Sequence, residues 1–199
     1  MAKLNRLCVF TGSSIGAQQE YIHAAETLAG LFCKSNIGLV YGGAKIGLMG
    51  KLADAMLQQD GEVIGVMPEF LAEKEIAHED ITELHLVESM HERKKLMNDF
   101  ADGFIMLPGG MGTLEEFFEV LTWSQLGLHK KPFAILNVNH YFDALIKFLD
   151  HSVAEGFLKP MYRDMIVIET TPEAVLEKFL NYQQPVAFRV KQDRLLETE

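Results

Sequence analysis

The chain has 199 residues, 48% of them apolar, and acids outnumber bases 28 to 18 for a formal net charge of −10. The apolar fraction excludes disorder and suffices for one sizeable core, while the negative charge argues against non-specific nucleic-acid binding, which needs a basic face. No apolar run approaches the ~18 residues of a membrane span, the early LCVF stretch is far below the ~7–15 residues of a signal-peptide core, and Cys8 and Cys33 show no metal or CxxC spacing. A cytoplasmic protein with reduced thiols and no membrane or nucleic-acid partner is expected.

Seven short apolar runs occur in order, at residues 7–10 (LCVF), 37–41 (IGLVY), 62–67 (EVIGVM), 84–87 (LHLV), 103–107 (GFIML), 133–138 (FAILNV) and 165–168 (MIVI). Each is of strand length and continuous rather than alternating, the pattern of strands buried on both faces. Helical stretches lie at 17–33, 48–59, 90–100, 114–126, 142–151 and 173–182. The expected fold class is α/β, a doubly wound parallel sheet of about seven strands with helices on both faces. Residues 1–184 read as one nucleotide-binding domain, and the charged segment 185–199 as a tail that frays.

Three glycine-rich loops follow strand runs: GSSIG (12–16), GGAKIG (42–47) and PGGMGT (108–113). In an open parallel sheet such loops gather at the carboxyl edge of the strands, where ligands bind. Glycines admit an anion close to backbone N–H groups, and a helix start adds a favourable dipole. A phosphate-bearing ligand is one reading and tight turns the other. Several motifs fail: GLMGKL (47–52) has no Ser or Thr after Lys51, no GxGxxG is present, and HERKK (91–95) ends in lysine where HExxH needs histidine. Neither a metal site nor a nicotinamide cofactor is expected.

Two helices carry charge in unusual places. At ~100° per residue, Arg93 falls in the middle of the apolar stripe formed by Met90, Leu96, Met97 and Phe100, with Lys94 at its margin and Lys95 outside. A buried arginine requires a carboxylate, a phosphate or a cavity; a salt bridge and a ligand contact are both open. The next helix opens on Thr113-Leu-Glu-Glu116, which fits a capping box. Glu115, Glu119 and Thr122 share a polar row, and Glu116 stands apart from it. Glu116 is a cap alone or a cap with chemistry, since a carboxylate beside a phosphate site suits a sugar or its developing positive charge.

PGGMGTLEE (108–116) resembles the PGGxGTxxE signature of the LOG family, the cytokinin riboside 5′-monophosphate phosphoribohydrolases and their bacterial relatives. SMHERK (89–94) resembles that family's MHxRK segment, at the same separation from the signature. YGGAKIGLMG (41–50) and TWSQLGLHKKP (122–132) match too, and the similarity runs over residues 9–157. Ala44 departs from the third glycine of many members. The resemblance implies a Rossmann-like, usually dimeric enzyme that hydrolyses the N-glycosidic bond of a nucleoside 5′-monophosphate, without cofactor, to free base and ribose 5-phosphate. It makes Arg93 and Glu116 catalytic. Substrate contacts fall to Gly110, Met111, Gly112 and Thr113 at the phosphate, to Leu114, Glu115 and Glu116 beyond it, and to Lys94, Glu75 and Thr122. The wheel sets Thr122 away from Glu116, so its row must face the pocket or a second subunit.

Some relatives carry a lysine decarboxylase label, but a pyridoxal Schiff-base lysine with its pyridinium partner is not legible here. The acidic segment 68–83 is either a lid carrying Phe70 and Glu75 over the base or a plain solvated connection. Helix 114–126 is apolar around most of its circumference, which predicts a homodimer unless the C-terminal helix 173–182 covers it. The competing functions are a non-catalytic nucleotide carrier or sensor on the same fold, and a DNA-processing protein, the latter disfavoured by charge.

Overall fold

The computed structural model describes residues 4–72 and 77–183. Seven strands, β1 (Arg6–Phe10), β2 (Gly38–Tyr41), β3 (Val63–Pro68), β4 (Glu83–Val87), β5 (Phe104–Met106), β6 (Phe133–Leu136) and β7 (Ile166–Glu169), form one sheet in the order β4-β3-β2-β1-β5-β6-β7. Every pairing is parallel, with registers such as Cys8 against Val40 on one side and Cys8 against Phe104 on the other. Each continuous apolar run became a strand. The expectation of burial on both faces fails at the margins, because β4 and β7 are edge strands in which Val87 and Ile166 alone are buried. Leu86 of β4 is 53% exposed.

Helices α1 (Gln19–Lys34), α2 (Gly47–Leu57) and α8 (Pro172–Leu180) cover one face, and α4 (Met90–Phe100), α5 (Met111–Gln125) and α6 (Asp143–Ala154) the other. The spacing explains the packing. In α1, Tyr21, Ala24, Ala25, Leu28, Ala29 and Phe32 recur every three or four residues and are the buried set. Its small alanines let α2 pack closely against it. On the other face Phe117, Val120 and Leu121 of α5 meet Phe104 and Phe133, whose rings are 5.6 Å apart. Two four-residue helices, α3 (Glu69–Ala72) and α7 (Pro160–Arg163), were not foreseen, being too short to show periodicity.

The chain winds outward from β1 through β4, then returns to lay β5 on the other side of β1. That reversal opens a crevice at the carboxyl ends of β1 and β5, where ligands bind in sheets of this type. The two loops are tied across it. Gly12 N–H donates to the Pro108 carbonyl at 3.2 Å, and the Thr11 hydroxyl donates to the same oxygen at 3.0 Å. The expected tail, 185–199, lies outside the described residues.

Candidate active site

The three glycine loops do meet, but two of them serve the scaffold. The α2 amides of Leu48 and Met49 donate to the Gly12 carbonyl at 3.1 and 3.4 Å, so this helix start is engaged by the first loop. The start of α5 instead faces a cleft. Its N-cap is Gly110, and its first helical donor is Leu114 N–H, to the Gly110 carbonyl at 3.2 Å. The preceding amides have no intrahelical acceptor. A Cβ placed on Gly110 or Gly112 would meet nothing within 4 Å. These residues, with Met111, Thr113, Thr11, Ser13, Arg93 and Glu116, line a cleft of about 200 Å³. Met111 is largely exposed beside it.

The capping box expected at Thr113 and Glu116 does not form. The helix begins earlier, at Met111 after the Gly110 N-cap, and Thr113 turns inward and is 4% exposed. A side-chain cap does form at α4, where the Ser89 hydroxyl accepts from Glu92 N–H at 3.1 Å and the Glu92 carboxylate reaches back past the N-cap to accept from Glu88 N–H at 2.9 Å.

Glu116 is paired with Arg93. Arg93 Nη2 lies 3.3 Å from Glu116 Oε1, with side-chain exposures of 8% and 11%. The guanidinium also donates from Nε to the Val66 carbonyl at 3.0 Å and from Nη2 to the Gly42 carbonyl at 3.3 Å. One planar fork thus gathers β3, the end of β2 and the second turn of α5 at a single point. Gly42 is glycine for this reason, because a Cβ there would sit 2.3 Å from Arg93 Nη2. The salt-bridge and ligand readings of Arg93 therefore meet: it is ion-paired, and it also lines the cleft.

Lys94 is as buried as Arg93 but turns to other partners. Its Nζ lies 2.5 Å from Glu115 Oε1 and 2.7 Å from Glu119 Oε2. Burial works against its charge, yet the hydrogen bonds to Glu115 and Glu119 outweigh that, so its pKa is raised. This fixes α4 against α5 along the polar row expected for Glu115 and Glu119. Leu114, half-buried, packs into the core of that face. Thr122 is exposed and donates its hydroxyl to the Phe118 carbonyl of its own helix at 2.7 Å. Glu75 lies outside the described residues. Among the described residues on either side, Phe70 of α3 is exposed, and His78 N–H donates to the Gly43 carbonyl at 2.9 Å.

Residues 49–179 match a family profile described as "Possible lysine decarboxylase". The chain is 50% identical over 161 residues to the cytokinin riboside 5′-monophosphate phosphoribohydrolase of Rhodococcoides fascians, covering 80% of this chain and 81% of that protein. It is 44% identical over 181 residues to a cytokinin riboside 5′-monophosphate phosphoribohydrolase of Arabidopsis thaliana, covering 91% and 84%. The chain belongs to the LOG family of phosphoribohydrolase enzymes. Among solved structures, the molybdenum cofactor carrier protein of Chlamydomonas reinhardtii superposes with a TM-score of 0.66 at 16% identity, over 89% of this chain and 98% of that one. The DNA processing protein A of Helicobacter pylori superposes at 0.55 with 13% identity, over 89% and 81%. At such identities the likeness shows the fold alone.

Proposed function

We propose that this member of the LOG family hydrolyses the N-glycosidic bond of a nucleoside 5′-monophosphate bearing adenine or a prenylated, cytokinin-type adenine, giving free base and ribose 5-phosphate. The observation that carries the proposal is the buried Arg93–Glu116 pair, 3.3 Å apart, beside the open first turn of α5. The amides of residues 110–113 and the helix dipole hold the 5′-phosphate. Breaking the bond to the base develops positive charge on the ribose ring, which the Glu116 carboxylate stabilises while it orients the attacking water. That water supplies the hydroxyl that ends on C1′ and the proton that ends on the base. Arg93 holds Glu116 in place and offers its remaining N–H groups to ligand oxygens. Lys94 holds α5 in register through Glu115 and Glu119. The names of the relatives favour a cytokinin riboside 5′-monophosphate over plain AMP.

Two further parts belong to the proposal. Helix α5 and the turn after it carry exposed Met111, Leu126 and Leu128 and half-buried Phe118 and Trp123, and we assign this surface to a homodimer in which Thr122 and Glu75 complete the substrate site. The C-terminal helix does not cover α5, since α8 packs on the opposite face of the sheet. Among the described residues no helix is long and apolar enough to cross a membrane; a cytoplasmic setting is part of the proposal.

Incubation of the purified protein with AMP and with isopentenyl-AMP, followed by chromatography, tests the activity. Free base and ribose 5-phosphate are expected, more rapidly from isopentenyl-AMP. Tight nucleotide binding without base release would point instead to a carrier or sensor.

A further inference from the structure

Tyr141 belongs to none of the motifs above, yet it touches the phosphate loop. It follows β6, and its hydroxyl donates to the Gly109 carbonyl at 2.7 Å. Its ring meets Phe142 edge-on at 4.8 Å and Tyr21 at 5.8 Å. The chain reaches it through Asn139 and His140, both left-handed at φ 48° and 59°, a conformation uncommon for non-glycine residues. Asn137, 4% exposed, clasps the turn: its side chain accepts from Phe142 N–H at 2.7 Å and donates to Asp143 at 2.8 Å. A cleft of about 270 Å³, lined by Tyr21, Tyr141, Ser13, Ser14 and Gly110, lies on this side of the phosphate loop.

The identity of the acceptor gives this contact its meaning. Pro108 and Gly109 supply consecutive carbonyls, the first held by Thr11 and Gly12 and the second by Tyr141. The peptide between Gly109 and Gly110 is flanked by two residues without a Cβ, so little local sterics resist its rotation. In a planar trans peptide the N–H points opposite to the C=O. A hydroxyl that fixes the Gly109 carbonyl therefore aims Gly110 N–H away from Tyr141. Gly110 is the N-cap of α5 and lines the cleft shared with Arg93 and Glu116.

We infer that Tyr141 is a positioning residue for anion binding: through the Gly109 carbonyl it presets the Gly110 amide for the 5′-phosphate. This rests on the phosphate-site reading above. Tyr141 touches no reacting atom, so its loss acts on ground-state affinity more than on the chemical step. Tyr141→Phe keeps both ring contacts and removes only the donor.

The test is calorimetric binding of ribose 5-phosphate to the wild type and to Tyr141→Phe, with steady-state kinetics on isopentenyl-AMP and a melting curve. Loss of one neutral hydrogen bond predicts that the Kd for ribose 5-phosphate and the KM for the nucleotide both rise about five- to tenfold, while kcat changes less than about twofold. Weak hydrolysis of a nucleoside lacking phosphate should be the same in both proteins. A folded Tyr141→Phe with unchanged Kd and KM, or with a loss in kcat alone, overturns the inference. A wild type that binds ribose 5-phosphate tightly but releases no base contradicts the proposed activity and leaves the binding comparison to decide Tyr141. A wild type that does not bind ribose 5-phosphate contradicts both.

Discussion

Arg93 and Glu116, on successive helices α4 and α5, face each other at 3.3 Å with neither side chain more than about a tenth exposed. Removing one member of such a pair leaves a buried charge without compensation, which typically costs about 3–5 kcal/mol. The pair is held by more than its own attraction, since the same guanidinium donates to the carbonyls of Val66 and Gly42. It is therefore preorganised before any ligand arrives, as electrostatic catalysis requires.

Gly42→Ala is the least conspicuous change that should disable the site. The new methyl would lie 2.3 Å from Arg93 Nη2 and 3.1 Å from Met49 Sδ. Arg93 must swing away, losing both the Gly42 carbonyl and Glu116. Activity should fall by about 10²-fold or more, and the melting temperature should fall with it, because Glu116 is left buried without its partner. An alanine variant as active as the wild type would show that the position of Arg93 does not matter.

The phosphate should be required. With the amides of residues 110–113 as its main holders, adenosine is expected to have a kcat/KM lower than that of AMP by about 10²-fold or more. Equal kcat/KM for nucleoside and nucleotide would remove the helix start from the mechanism.

Acid stability should depend on His129. Burial lowers its pKa from 6.5 to about 4. Its ring lies tilted against Phe104 and Phe133, with Nε2 2.9 Å from the Val120 carbonyl and Nδ1 3.3 Å from Lys131 N–H, which assigns the proton to Nε2. The folded state binds the proton less readily than the unfolded chain does. Stability is then full above the unfolded pKa of ~6.5 and declines as the pH falls toward 4. Urea midpoints measured across that window should drop for the wild type. They should stay flatter, from a lower starting point, for His129→Gln. Parallel curves for the two proteins would assign the acid loss to other groups.

The sheet was legible because parallel strands need apolar residues on both faces, and each such run became a strand. The exceptions have physical causes. LHLV is apolar enough for a central strand but sits at the edge, a position set by connectivity rather than by composition. Arg93 could be found as a charge inside an apolar stripe. Lys94 looked marginal on the wheel and is buried because Glu115 and Glu119, on another helix, draw it in. The Thr113–Glu116 spacing imitates a cap, and only the packing of Thr113 under Gly109 shows that the helix starts at the glycines. Tyr141 carried no signal at all, since its function is a single hydroxyl aimed at a carbonyl 32 residues away in sequence.

The most direct test of the central claim is base release by Glu116→Gln, measured with isopentenyl-AMP alongside equilibrium binding of the same nucleotide. Glutamine keeps the shape and one acceptor for Arg93 but removes the negative charge. The account predicts that base release falls by about 10²–10⁴-fold while binding changes only a few-fold. Turnover close to that of the wild type would contradict it, and would leave Glu116 as no more than the partner that keeps Arg93 buried.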